Sequence, residues 1–258
     1  MILQDRVVLV TGAARGLGAG IAAAVLEAGG RVVLADLSQT EVAATAAHLD
    51  PGGARSCAIA ADVTDEDAVQ RMVAAAVARF GRLDGLVCNA GTIAMAPALQ
   101  APRADLDRQF AVNVGGLYLC CQAAARQFIA QGGGGAIVNI ASNAGKVGFP
   151  DMAGYNASKA AVVSLTRTLA AEWAAHRINV NAVCPGSVLT PMLAGVADWL
   201  APRQHAPAEA LLARMVPAQL GRHIAPVEVG RVVAFLLSDA AIIIRGQSLN
   251  VDGGETPY

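Results

Sequence analysis

Near the amino terminus an apolar run, Arg6–Val10, passes straight into Thr11-Gly12-Ala13-Ala14-Arg15-Gly16-Leu17-Gly18 and then into an Ala-rich stretch of helical character. A strand that opens on a glycine loop and continues as a helix is the first half of a βαβ unit, and that crossover lays the next strand parallel to the first. The glycines have distinct physical tasks. Gly12 can take a tight turn, Gly16 lets backbone N–H groups approach a pyrophosphate, and Gly18 permits close packing of a helix whose N-terminus faces the phosphates. An ordinary glycine-rich turn is the blander alternative, and the strand before and helix after argue against it.

The same rhythm repeats along the chain. Short β-branched runs predict strands at Arg6–Val10, Arg31–Ala35, Cys57–Ala61, Leu83–Cys88, Ala136–Ala141, Ile178–Val183 and Gln247–Val251, separated by segments long enough for crossover helices. Strands apolar along their whole length are covered on both faces. The expectation is therefore a Rossmann-like α/β fold: one domain over residues 1–258, a doubly wound parallel sheet of seven strands with helices on each side, and ligands at the carboxyl ends of the strands. Ser38 and Thr64 are read as helix starts. The one long departure from the rhythm, Ser187 to His223, follows the sixth strand and is the candidate substrate lid over 187–223.

Asp36 closes the second strand about twenty residues beyond the glycine loop. A carboxylate there can accept hydrogen bonds from the adenosine ribose hydroxyls and repels a 2′-phosphate, which favours NAD over NADP. Arg15, which could meet a 2′-phosphate, is the opposing signal and carries less weight because it can simply face solvent. Farther on, Tyr155-Asn156-Ala157-Ser158-Lys159 lies on a predicted helix, where four-residue spacing puts Tyr155 and Lys159 on one face. A neighbouring cation stabilises a phenolate and brings a tyrosine towards the working range. Alone, such a pair is usually a surface helix pair.

The ordered set Thr11–Gly18, Asp62-Val63, Asn89-Ala90-Gly91, Asn113, Ser142, Tyr155/Lys159, Pro185-Gly186 and Asn250-Val251-Asp252-Gly253-Gly254 resembles the short-chain dehydrogenase/reductase family over the whole chain. The resemblance implies that Tyr155 is the general acid/base, that Lys159 lowers its pKa and binds the nicotinamide ribose, and that Ser142 holds the substrate oxygen. Asn113 would fix a water joining Lys159 to solvent. It further implies that Gly12, Arg15, Gly16, Leu17, Gly18 and Asp36 line the cofactor with Asp62 and Val63 at the adenine. Asn89, Ala90 and Gly91 would lie beneath it, and Pro185, Gly186, Val188 and Thr190 would hold the carboxamide. Plainer readings exist: Asn113 and Ser142 could serve a turn or a helix entry, and Thr190, before Pro191, could be only an N-cap. The chain departs from the family pattern at Ala141-Ser142, where paired serines are usual, and at Ile242-Ile243-Ile244-Arg245-Gly246, where Arg245 stands in place of a usual Thr.

The implied activity is hydride transfer between NAD(H) and a secondary alcohol or ketone, with no metal, and the expected substrate is a small polyol, sugar or diol. A 3-oxoacyl-thioester reductase is the alternative, and a nucleotide sensor without catalysis is disfavoured because both Tyr155 and Lys159 are kept. The resemblance also implies a homotetramer built on the helices Leu106–Ala130 and Gly154–Ala175 and the last strand. A net charge of -1 with no Lys/Arg run leaves no basis for binding nucleic acid. Polar residues interrupt every apolar stretch before the ~18 residues a membrane span needs. Met1–Val10 has no signal-like character, so the cytoplasm is expected. The five cysteines show no zinc-like spacing and are read as buried free thiols.

Overall fold

A computed structural model of the chain describes residues 1–257. Strand β1 (Val7–Thr11) leads to α1 (Gly16–Glu27), β2 (Arg31–Asp36), α2 (Gln39–Leu49), β3 (Ser56–Ala60), α3 (Glu66–Phe80) and β4 (Gly85–Cys88). Then come α4 (Arg103–Phe110), a π-helical turn (Ala111–Gly116), α5 (Leu117–Gln131), β5 (Gly135–Ile140), α6 (Ala153–Glu172) and β6 (Ile178–Pro185). The chain ends through α7 (Pro191–Gln204), α8 (Ala208–Arg214), α9 (Pro226–Leu236) and β7 (Ser248–Val251). Each expected strand is present, with ends shifted by a residue or two.

The strands form one seven-stranded parallel sheet in the order β3-β2-β1-β4-β5-β6-β7. Alternation along each strand sorts the apolar side chains into two layers. Val7, Leu9, Val33, Leu86, Ile137 and Val180 meet Met72 of α3, Phe128 of α5 and Val162 of α6 on one face. Val8, Val10, Val32, Leu34, Val138 and Val183 meet Ile21 of α1, Val42 of α2 and Val233 of α9 on the other. Full burial of each such side chain contributes about 1.5–3 kcal/mol before entropy is counted. That is why these strands are apolar on both faces.

The chain leaves β1 towards β2 on one side and returns through α3 to β4 on the other, so the carboxyl ends of β1 and β4 flank a crevice. Local chemistry sets the helix starts around it. Ser38 caps α2 by accepting from the Glu41 N–H, as expected. For α3 the cap is Asp65, not Thr64: the Asp65 carboxylate takes the N–H groups of Asp67 and Ala68, while Thr64 is spent on Asp62.

The stretch after β6 folds as α7 and α8, and its two ends are joined. Val188 and Ile224 form a parallel bridge, with Leu189 N–H donating to Ile224 O and Ile224 N–H to Ser187 O. The expected lid boundaries thus coincide with a closed base. Cys88, Cys120, Cys121 and Cys184 are buried and Cys57 is half-buried, all as free thiols. No helix among the described residues is long and apolar enough to cross a membrane.

Candidate active site

The glycine loop is braced from beneath. Asn89, just past β4, donates from Nδ2 to the carbonyls of Thr11 (2.9 Å) and Gly12 (2.8 Å). The Thr11 hydroxyl in turn accepts the N–H groups of Asn89 (3.0 Å) and Ala90 (3.1 Å). Gly12 sits at φ +64°, and a Cβ there would lie 2.8 Å from Ala90 Cα. At Gly18 a Cβ would run into the Gly12 carbonyl oxygen, so α1 starts closer to the loop than any side chain permits. Arg15, exposed at the N-cap, supplies no side-chain cap, and no acid lies in the first turn, which includes Leu17. The first N–H groups of α1 are thus left open towards an anion, and the residues present fit a pyrophosphate.

Asp36 ends β2 beside this loop. Its Oδ2 accepts from Ala14 N–H and its Oδ1 from Leu37 N–H, both at 2.8 Å. Each oxygen keeps a lone pair for a further donor, as ribose hydroxyls would require. Asp62 is exposed, with Oδ1 committed to the N–H and hydroxyl of Thr64, whereas Val63 is buried against Gly116. Pro185 closes β6. A Cβ on Gly186 would stand 2.7 Å from that of Asp252 and would meet the Glu255 carboxylate. Val188 is buried where it bridges to Ile224. Thr190 caps α7, its hydroxyl accepting from Leu193 N–H and donating to Val188 O, each at 3.3 Å. Thr190 is therefore an N-cap. Its methyl group also lies 3.6 Å from where a Gly16 Cβ would be, which brings the start of α7 against the glycine loop.

The four expected catalytic residues converge beyond β4 and β5. Ser142, two residues beyond β5, caps a short 3₁₀ turn, Asn143–Gly145, accepting from Ala144 N–H at 3.1 Å and donating to Asn143 Oδ1 at 3.3 Å. Tyr155 lies in the first turn of α6. Burial pushes its phenol above the ordinary tyrosine value, and a hydrogen bond with the Ser142 hydroxyl opposes that rise. Lys159, one turn on, is 4% exposed and donates from Nζ to Ile140 O at 2.7 Å. Burial lowers its pKa to about 8, with the Cys184 and Cys88 thiols acting weakly the other way.

Lys159 Nζ stands 5.7 Å from the centre of the Tyr155 ring. The ammonium is held by the Ile140 carbonyl, and the Ser142 hydroxyl is the group that hydrogen-bonds the phenol. Asn113 occupies the π-helical turn. Its side chain accepts from Thr92 N–H (2.8 Å) and donates to Thr92 O (2.9 Å) and Ser158 Oγ (3.0 Å). Asn113 therefore ties the loop after β4 to α6, a bracing role its sequence context left open. A Cβ on Gly91 would lie 3.3 Å from Asn113 Oδ1 and 3.6 Å from Lys159 Nζ, so this glycine floors the site.

Two contributors carry no sequence signal of their own. Glu255, after the last glycines, accepts from Ser187 N–H at 3.2 Å and Ser187 Oγ at 3.3 Å, and also bonds Asn143. Burial raises its pKa against those hydrogen bonds. A carboxylate is thereby placed one residue from Ser142, with no cation paired to it among the described residues. Ser158 receives Asn113 and donates to Tyr155 O at 2.8 Å, stiffening the turn that carries the phenol. Only the position of Glu255 just beyond Asp252-Gly253-Gly254 could have drawn attention to it.

A family model described as enoyl-(acyl carrier protein) reductase matches residues 12–256. D-threitol dehydrogenase of Mycolicibacterium smegmatis is 41% identical over 256 residues, 98% of this chain and 94% of that protein. The NAD-dependent glycerol dehydrogenase of Listeria innocua is 37% identical over 254 residues, 98% of this chain and 95% of its own length. Among solved structures, levodione reductase superposes with a TM-score of 0.91 at 33% identity, covering 98% of each chain.

Proposed function

Because the chain belongs to the short-chain dehydrogenase/reductase family of oxidoreductases, we propose that it is an NAD-dependent alcohol dehydrogenase and ketone reductase acting on a small polyol, sugar or diol. The observation that carries this reading is the half-buried Tyr155 phenol hydrogen-bonded with Ser142, with the Lys159 ammonium over its ring. In such a site a bound nicotinamide cofactor supplies or accepts the hydride.

The protein's own groups handle the oxygen and the proton. Ser142 holds the substrate oxygen, and Tyr155 takes its proton during oxidation and returns it during reduction. Lys159, with a pKa near 8, keeps a positive charge at neutral pH and favours the phenolate. Lys159 also carries the proton outward, aided by a water that Asn113 fixes. Gly12, Gly16 and the start of α1 hold the pyrophosphate. Asp62 and Val63 hold the adenine, Asn89 to Gly91 floor the site, and Pro185, Gly186, Val188 and Thr190 face the carboxamide. Asp36, with spare lone pairs on both oxygens, favours NAD.

The polyol assignment draws on two supports: relatives named for threitol and glycerol, and the exposed Glu255 carboxylate bonded to Ser187 and Asn143 near Ser142, an acceptor suited to extra hydroxyl groups. The lid over 187–223 would close on the substrate. Exposed Leu106, Phe110, Tyr118 and Ile129 on α4 and α5 support the homotetramer. Free thiols, with the Cys88 and Cys121 sulfurs hydrogen-bonded at 3.7 Å, suit a reducing cytoplasm.

The test is a screen of threitol, glycerol, other polyols and acetoacetyl thioesters with NAD and NADP, for the wild type and Tyr155→Phe. Polyol oxidation with NAD is expected. Tyr155→Phe should lose roughly 10²–10⁴-fold in kcat while still binding NADH. Turnover of thioesters alone, with NADPH, would replace this assignment by the thioester reductase. Tight NADH binding with no turnover would indicate a sensor.

A further inference from the structure

Helix α2 packs on the sheet through one stripe, in which Val42 and Ala46 are buried and Leu49 is partly so. Thr45, half-buried, shares that face at helical spacing and is its one polar member. A threonine inside a helix commonly turns its hydroxyl back to the carbonyl four residues earlier. Thr166 does so with Val162 O (2.8 Å) and Thr168 with Ser164 O (3.4 Å). Thr45 instead donates across to Ala14 O at 2.5 Å, 31 residues away in the glycine loop.

Ala14 is thereby gripped at both of its backbone groups: Asp36 Oδ2 takes the N–H at 2.8 Å and Thr45 takes the carbonyl. One residue earlier, Ala13 N–H donates to Ala35 O at 3.0 Å. The loop is thus stitched to β2 and α2 as far as Ala14. Beyond it the chain runs extended through Arg15, turns at Gly16 (φ +57°) and enters the open N-terminus of α1. A trans peptide holds its C=O and N–H on opposite sides. Drawing the Ala14 carbonyl towards α2 therefore aims the Arg15 N–H away from that helix and fixes the plane from which the turn at Gly16 starts.

Resting on the NAD reading above, we propose that Thr45 is a positioning residue for the adenosine half of the dinucleotide. Asp36 serves both as ribose acceptor and as anchor of the Ala14 N–H, so the carboxylate and the glycine loop keep one alignment only while the Ala14 peptides keep theirs. Ala14, 8% exposed, has no polar side chain to fix its own plane. Released at the carbonyl, it can turn away from Asp36 Oδ2, and the start of α1 then loses its register with the ribose acceptor. Thr45 sits behind the loop, on the far side of Ala14 from the reacting groups, so its influence reaches the reaction through cofactor affinity and leaves proton transfer at Tyr155 untouched.

The test compares Thr45→Val, which puts a methyl group where the hydroxyl was, with Thr45→Ser, which keeps the hydroxyl, in the full chain. Titration with NADH, followed by fluorescence, and with ADP-ribose, followed by calorimetry, should show both ligands weakened by a similar factor, roughly ten-fold, in Thr45→Val. Thr45→Ser should restore both to within about two-fold of the wild type. Without cofactor, amide hydrogen exchange in the segment 11–18 should be faster in Thr45→Val. Val42→Ala loosens the same helix without touching Ala14 and serves as the control for a merely structural effect: its NADH affinity should stay at the wild-type value. Undiminished NADH binding in Thr45→Val, no restoration in Thr45→Ser, or an equal loss in Val42→Ala overturns the proposal. A wild type that binds no NADH overturns the cofactor reading itself, and the proposal with it.

Discussion

Lys159→Met offers a direct measure of what burying the ammonium costs the fold. The fall in the lysine pKa from 10.5 to about 8 has burial as its main cause. At about 1.36 kcal/mol per pH unit it corresponds to roughly 3 kcal/mol against the charged form in the folded chain. Between pH 8 and 10.5 the unfolded chain binds the proton that the folded chain has released, so stability rises with pH across that window. The penalty is complete below about pH 8 and vanishes above 10.5. Methionine removes it at every pH. It also removes the donor to Ile140 O, at a cost of about 1–3 kcal/mol that does not change with pH.

The quantity to follow is therefore the difference between variant and wild type. Integrated from pH 7 to pH 9.5, the advantage of Lys159→Met over the wild type should shrink by about 2 kcal/mol. Urea unfolding at matched protein concentration, without cofactor, at pH 7, 8 and 9.5 gives that difference directly. Parallel curves for the two proteins over this range would refute the reasoning, because a lysine with an ordinary pKa contributes no such slope. Activity is lost in the variant in either case, so stability is the readout.

Three other perturbations follow from the site's geometry. Asp36→Ala removes the ribose acceptor and should raise KM for NAD roughly ten- to hundred-fold while improving kcat/KM with NADP, read by steady-state assays with both cofactors. Gly18→Ala drives a methyl group into the Gly12 carbonyl and should lose about 1–3 kcal/mol in urea unfolding, with weaker NADH binding by fluorescence. Asn89→Ala strips the donors from the Thr11 and Gly12 carbonyls; a fall in stability of about 2 kcal/mol is expected by the same method.

The strands were legible because a parallel sheet covered on both faces demands uninterrupted apolar runs, and seven such runs are visible in the sequence. Gly12 and Gly18 were legible for a related reason: no other residue satisfies the conformation at one or the approach at the other. The π-helical turn at Ala111–Gly116 was not. The sequence suggests one helix from Leu106 to Ala130, and the break depends on Asn113 reaching Thr92 and Ser158, partners far away along the chain. Lys159 lies one turn beyond Tyr155 on α6, as the spacing predicts, yet its bond to Ile140 O and its stance over the Tyr155 ring depend on how β5 and α6 pack. Glu255 was missed because a lone acid after a glycine pair has no period or spacing to read; only the fold brings it to Ser187 and Asn143.

The bridge between Val188 and Ile224 makes the intervening helices an interchangeable cassette. Because the ends of the segment meet at the sheet's rim, its length and composition can change without re-threading any strand, and each doubling of length adds only about 0.6 kcal/mol of closure entropy. Grafting the corresponding stretch from a relative with a different substrate onto these two anchor points should transfer substrate preference while leaving the chemistry and cofactor choice in place. Diversification of substrate range can thus proceed by exchange of a peripheral module over a sheet that need not change.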